Sequence, residues 1–202
     1  MEHATSVAFP INPLLSTEDI MAHELSHSWF GNLVTCENAG DMWLNEGFAS
    51  FCEAVYFEAL GDSIDYKDYV RANHDLVLRR AHLLDGGYFA VGGIDENHTY
   101  STTVYSKGAS MVHNLRKFMG DSAFFPAIRQ YISGFSFRHA TSDSLRMSLE
   151  ATSGQSLSPW FDAWIYQPGF LHYGVDSFSV SPNGGNFDVT VHVRQRLKVS
   201  LN

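Results

Sequence analysis

The sequence predicts a mainly helical chain with a short strand near its start and a β-hairpin at its end. Apolar residues recur at helical spacing from about residue 17 to residue 166, and alternation replaces that spacing after Tyr173. The run His23-Glu24-Leu25-Ser26-His27 places two histidines one turn apart on the first helix, which indicates what the helices support.

Residues 4–10 read as a strand ended by Pro10, with Thr5, Val7 and Phe9 sharing a face. Ser16 is a helix cap, with Asp19 completing a carboxylate variant of the capping box. The helix it opens runs over 17–30 and stops at Gly31-Asn32. A second helix over 44–60 carries Phe48, Phe51, Val55 and Phe57 and ends at Gly61. A third over 66–82 turns Tyr69, Leu76 and Leu83 inward and Lys67, Arg71, Arg79 and Arg80 outward. Asp85-Gly86-Gly87 and Gly92-Gly93 bracket an irregular segment. Helical spacing returns over 103–120, then in shorter helices over 122–132, 142–152 and 157–166. Val175, Phe178 and Val180, a Pro-Asn-Gly-Gly turn, and Phe187, Val189, Val191 and Val193 make the hairpin. Two strands are too few for a stable sheet alone.

With 202 residues, 45% hydrophobic and 17% charged, the chain has an ordinary globular balance. A net charge of -9 without a basic run argues against nucleic acid as a partner. Cys36 and Cys52 lack C-x-x-C spacing and read as two buried thiols. No apolar run reaches the length of a membrane span, so a soluble chain is expected, and Met1-Glu2-His3 does not open a signal peptide.

On one helix face, the imidazoles of His23 and His27 can grip a single ion. Zinc takes about four ligands and keeps one position for water at a catalytic site, so a third protein ligand is required. Glu46, with eighteen residues between it and His27, can supply it from the second helix. Glu24 is then the base that takes a proton from water. Glu53 lies two turns beyond Glu46 on the same face, where it either accepts an N–H from a ligating imidazole or is simply solvated. A hydrolytic site also needs a donor for its oxyanion. Tyr105 and Tyr100 are both candidates, and either also reads as a core or rim residue. His74, His82, His113, His139, His172 and His192 lack ligand spacing and read as surface or satisfied core residues.

The run from His23 to Thr35, His-Glu-Leu-Ser-His-Ser-Trp-Phe-Gly-Asn-Leu-Val-Thr, together with Trp43-Leu44-Asn45-Glu46-Gly47-Phe48-Ala49, resembles the gluzincin aminopeptidases of the aminopeptidase N family, peptidase family M1. Tyr105-x-Lys107-Gly108, Trp160-Phe161-x-x-Trp164 and Gln167-Pro168-Gly169-Phe170 extend the resemblance over most of residues 1–173. It implies a thermolysin-like zincin helical catalytic domain over 1–173, truncated at its N-terminus, and the first strands of a β-sandwich domain over 174–202. It further implies a zinc-dependent aminopeptidase holding one Zn²⁺ on His23, His27 and Glu46, with Glu24 as base and Tyr105 at the oxyanion. Met1-Glu2-His3 is similar to the end of the family's G-x-M-E-N motif, with His3 in place of asparagine. That similarity implies that Glu2 binds the α-ammonium of a peptide with a free N-terminus. Ala39 stands where the family has an aromatic residue, and Leu171 where it has proline. The remaining domains of a longer protein are expected as partners. Two alternatives carry the same metal site: a zincin endopeptidase, and a non-catalytic remnant that binds zinc or peptide.

Overall fold

The computed structural model describes residues 6–7, 18–61 and 66–199. The Ser16 cap, Glu2 and all of the predicted 4–10 strand except Ser6 and Val7 lie outside the described residues. Helix α1 (Glu18–Ser26) opens on Glu18 and Asp19, whose charges suit the positive end of the helix dipole. It ends at Ser26, four residues short of the predicted last helical residue, Phe30. Ser26 Oγ donates to the His23 carbonyl at 2.7 Å, and the following N–H groups of Ser28 and Trp29 reach back only three residues. The chain thus tightens into turns as far as Phe30 and then enters strand β1 (Val34–Cys36).

A 3₁₀ turn over Ala39–Leu44 leads into α2 (Glu46–Leu60), the central helix, which packs against α1 and against a later helix, α5 (Gly108–Met119). Helix α2 begins two residues later than predicted. Asn45, just before it, directs its side-chain oxygen to the Cys36 N–H at 3.1 Å and not to its own helix. Gly61 ends α2 in the left-handed region, at φ 66°, a conformation that a Cβ disfavours.

The third predicted helix is divided into α3 (Tyr66–Leu76), a π-helical turn over Val77–Ala81, and α4 (His82–Leu84). The wider turn inserts a residue into the helical period and resets the inward face. Val77 and Ala81 are buried there, whereas Leu83, predicted to point inward, is 64% exposed. A second π-helical turn, Thr103–Lys107, precedes α5. Then follow α6 (Asp121–Gly134), strand β2 (Arg138–Ala140), α7 (Ser142–Ser153) and α8 (Ser158–Trp164). Strand β2 pairs in parallel with β1, Val34 opposite Arg138 and Cys36 opposite Ala140. These three-residue strands are too short to leave a sequence signature.

Trp43, Phe48, Leu115, Phe124, Leu145, Leu149 and Phe161 fill one core. A buried polar relay ties the 3₁₀ turn before α2 to the start of α7. Trp43 Nε1 donates to Ser142 Oγ at 2.8 Å, and Ser142 Oγ donates to Asp41 at 2.6 Å. Strands β3 (Phe170–Asn183) and β4 (Asn186–Lys198) form the antiparallel hairpin, which starts earlier than the alternation suggests. It contributes little to the core, since Phe178, Phe187 and Val193 are all more than half exposed. Cys36 is buried and Cys52 half-buried, neither of them in a disulfide, and burial pushes Cys52 up to about 12. Among the described residues no helix is long and apolar enough to cross a membrane.

One histidine outside the α1 pair is expected to contribute to acid sensitivity. Tyr66 Oη donates to His113 Nδ1 at 2.5 Å. Burial, then the charges of His74, Lys117 and Arg116, hold His113 down at about 4. Because the folded pKa lies below the ordinary 6.5, the stabilisation is complete above pH 6.5 and is lost as pH falls towards 4. In thermal melts across that window, His113→Asn is expected to have a shallower fall in Tm than the parent. Parallel Tm curves for the two proteins would show that His113 does not carry this dependence.

Candidate metal centre

The site forms where α1 lies on α2. His23 and His27 are successive turns of one helix, with ring centroids 4.8 Å apart in an edge-to-face arrangement. Both Nε2 atoms face one carboxylate oxygen of Glu46, the first residue of α2, at 3.2 and 3.3 Å. Their far sides are held as well. His23 Nδ1 donates to Glu53 Oε1 at 2.6 Å, and His27 Nδ1 donates to the Phe30 carbonyl at 2.9 Å. A proton fixed on each Nδ1 directs each Nε2 lone pair to the same point, which is how metal-binding imidazoles are normally oriented.

Electrostatics follow from this geometry. Burial pulls His23 down, but hydrogen bonds to Glu46 and Glu53 outweigh it and raise the group to about 9. For His27 burial likewise opposes protonation, and Glu46 and the Phe30 carbonyl reverse it, so its pKa also rises. Burial pushes Glu46 up, yet the two imidazoles bring it down to about 2. A buried carboxylate thus lies against two imidazoles whose pKa values it raises, an arrangement suited to a divalent cation. One ligand atom from each of His23, His27 and Glu46 can be chosen so that all three lie within 4.8 Å of one another. Two nitrogens and a carboxylate oxygen are a set that zinc takes at catalytic sites. The residues fit the ion.

Glu24 is half-buried beside His23. Tyr105, on the π-helical turn before α5, lies nearly parallel to the His23 ring, with centroids 6.0 Å apart. Burial, then the charge and hydrogen bonding of Glu46, then Tyr100 and Glu24, push the Tyr105 phenol above its ordinary value. It therefore remains a protonated donor. Tyr100 is 71% exposed. Glu53 sits on α2 against His23, and burial raises its pKa.

Two features of the site were not visible in the sequence. The first is the Phe30 carbonyl, an acceptor created by the tight turn after Ser26. The second is the contact between Gly47 and Gly108. A Cβ on Gly47 would lie 3.0 Å from Gly108 Cα and 3.3 Å from the Val104 carbonyl, so the two backbones touch. This close approach sets Glu46, next to Gly47, beside Tyr105, three residues before Gly108. Gly108→Ala is expected to cost about 1–3 kcal/mol of stability, read as a lower urea midpoint. A midpoint equal to that of the parent would mean the helices separate freely.

Two imidazoles and a carboxylate converging from packed helices, with a tyrosine alongside, define a helical metal-site protein of the metallopeptidase class. The chain belongs to peptidase family M1, whose domain model matches residues 9–164. Aminopeptidase N of Lactococcus lactis is 32% identical over 157 residues, covering 75% of this chain and 18% of that protein. Leucyl aminopeptidase of Saccharolobus solfataricus is 30% identical over 158 residues, covering 75% of this chain and 20% of that protein. The chain thus spans about a fifth of the length of these curated relatives. The crystal structure of an M1 zinc metallopeptidase from Deinococcus radiodurans superposes with a TM-score of 0.67 at 25% identity, over 75% of this chain and 33% of that one.

Proposed function

We infer that the chain is the zinc-binding core of an aminopeptidase that hydrolyses the N-terminal peptide bond of peptides. The observation that carries this reading is the convergence of His23 Nε2, His27 Nε2 and Glu46 Oε2, with each Nδ1 already held from behind. Membership of family M1 and the names of the relatives support the reaction class. One zinc ion, held by His23, His27 and Glu46, would supply a Lewis acid that polarises the scissile carbonyl and acidifies water. Glu24 accepts a proton from the attacking water on a carboxylate oxygen and passes it to the leaving amine nitrogen. Tyr105 donates its phenolic proton in a hydrogen bond to the developing oxyanion, a role that its raised pKa suits. Glu53 fixes the tautomer and tilt of His23. Glu2, outside the described residues, is the proposed anchor for the substrate's α-ammonium.

Residues 1–173 constitute this catalytic unit and 174–202 begin a β-sandwich domain, a division supported by the change from helix to exposed hairpin at Phe170. The remaining domains of a longer protein are its proposed partners, in keeping with the span of the relatives. The test compares a free aminoacyl amide with its N-acetylated form in the zinc-loaded protein. Cleavage of the free amide with at least a roughly 100-fold preference is expected, from loss of a charge-assisted contact on acetylation. Equal cleavage of both would indicate an endopeptidase, and bound zinc with neither cleaved would indicate a non-catalytic remnant.

A further inference from the structure

The segment bracketed by Asp85-Gly86-Gly87 and Gly92-Gly93 takes no part in the metal site, yet it grips both ends of the turn that carries Tyr105. The Asp85 carboxylate accepts from the Thr102 N–H at 3.0 Å, from the Thr103 N–H at 2.7 Å and from Thr103 Oγ1 at 2.7 Å. These are the N–H groups at the opening of the π-helical turn Thr103–Lys107, where an anion satisfies orphan donors and meets the positive end of the dipole. At the other end of the same turn, Lys107 is buried at 6% exposure and its ammonium donates to the Phe89 carbonyl at 2.7 Å. The segment is itself braced, since His98 Nε2 donates to the Asp85 carbonyl at 3.1 Å and its ring lies 4.2 Å from that of Phe89.

We propose that residues 85–89 are a splint for the Tyr105 turn, with Asp85 as a positioning residue that fixes the phenol against His23 and Glu46. The inference rests on the role assigned above to Tyr105. A π-helical turn is rare, occurs mostly as a single turn next to α-helix, and is frequent at functional sites. Held at one end by a carboxylate across two backbone N–H groups, and at the other by a buried ammonium, this turn cannot relax into regular α-helix without breaking charge-assisted bonds. Relaxation would rotate Tyr105 away from His23, because removing the extra residue of the wide turn shifts the angular position of what precedes it. Asp85 reaches the chemistry only through Tyr105, which makes the proposal testable by non-additivity.

The experiment is a double-mutant cycle on the zinc-loaded full chain, together with amide hydrogen exchange on the metal-free protein. Asp85→Asn is expected to lower kcat roughly 10- to 100-fold with KM changed by less than about twofold, the size of effect that follows a misplaced catalytic group. In a Tyr105→Phe background the same change is expected to cost less than about twofold, since the group it positions is already gone. Exchange at Thr102–Tyr105 is expected to accelerate in Asp85→Asn and in Thr103→Val, a milder variant that removes one of the three bonds and serves if Asp85→Asn does not fold. Equal losses of kcat in both backgrounds, or unchanged exchange across 102–105, would overturn the splint. Full turnover in Tyr105→Phe alone would instead overturn the role assigned to Tyr105, and the exchange measurement would then decide the splint by itself.

Discussion

In Glu24→Gln, kcat is expected to fall about 10³-fold while zinc content stays at the level of the parent. The glutamine keeps the size and half-buried position of Glu24 on α1, and it leaves His23, His27 and Glu46 untouched. What it removes is the only function asked of that side chain, to accept a proton from water and return it to the leaving nitrogen. Since the carboxylate is proposed to act in the reaction and not in ground-state binding, KM should change little. Zinc analysis and steady-state kinetics on the same preparation decide it. Loss of metal would make Glu24 a ligand, and retained turnover would move the base elsewhere.

Glu46→Gln is expected to show the opposite pattern, with zinc affinity falling by more than about 100-fold and turnover falling with it. Outer residues that merely orient a ligand typically cost about 10- to 100-fold in metal affinity, and a direct ligand should exceed that range. The carboxylate also holds the two imidazoles together, at 3.2 and 3.3 Å from their Nε2 atoms, so the variant loses both a donor and the charge that organises the pair. Glu53→Gln provides the scale, because Glu53 meets the site through His23 Nδ1 and should remain within the 10- to 100-fold range. Competition against a chromogenic chelator measures all three proteins. Parental affinity in Glu46→Gln would place the third ligand on another residue.

The candidate metal site, as a cluster of side chains, was legible because its logic is local. His23 and His27 need only a helix to share a face, and Glu46 needs only a second helix at reachable distance. The role of Glu53 was left open between two readings, because helical spacing fixes its face but not how closely α1 approaches α2. The hairpin announced itself by alternation and a Gly-Gly turn. What could not be read depends on contacts between distant segments or on departures from ideal period. Leu83 was assigned inward on an unbroken α-helix, and the π-helical turn at Val77–Ala81 turned it out. The β1–β2 ladder joins triplets about a hundred residues apart, each too short to show alternation. Gly47 and Gly108 look like ordinary small residues until α2 and α5 bring their backbones together.

The most direct test of the proposed zinc-dependent hydrolysis is a zinc titration of the metal-free chain, followed by hydrolysis of a free aminoacyl amide. Activity should rise in proportion to added zinc and break at one equivalent. Full activity without metal, or one tightly bound zinc with no hydrolysis, would contradict it.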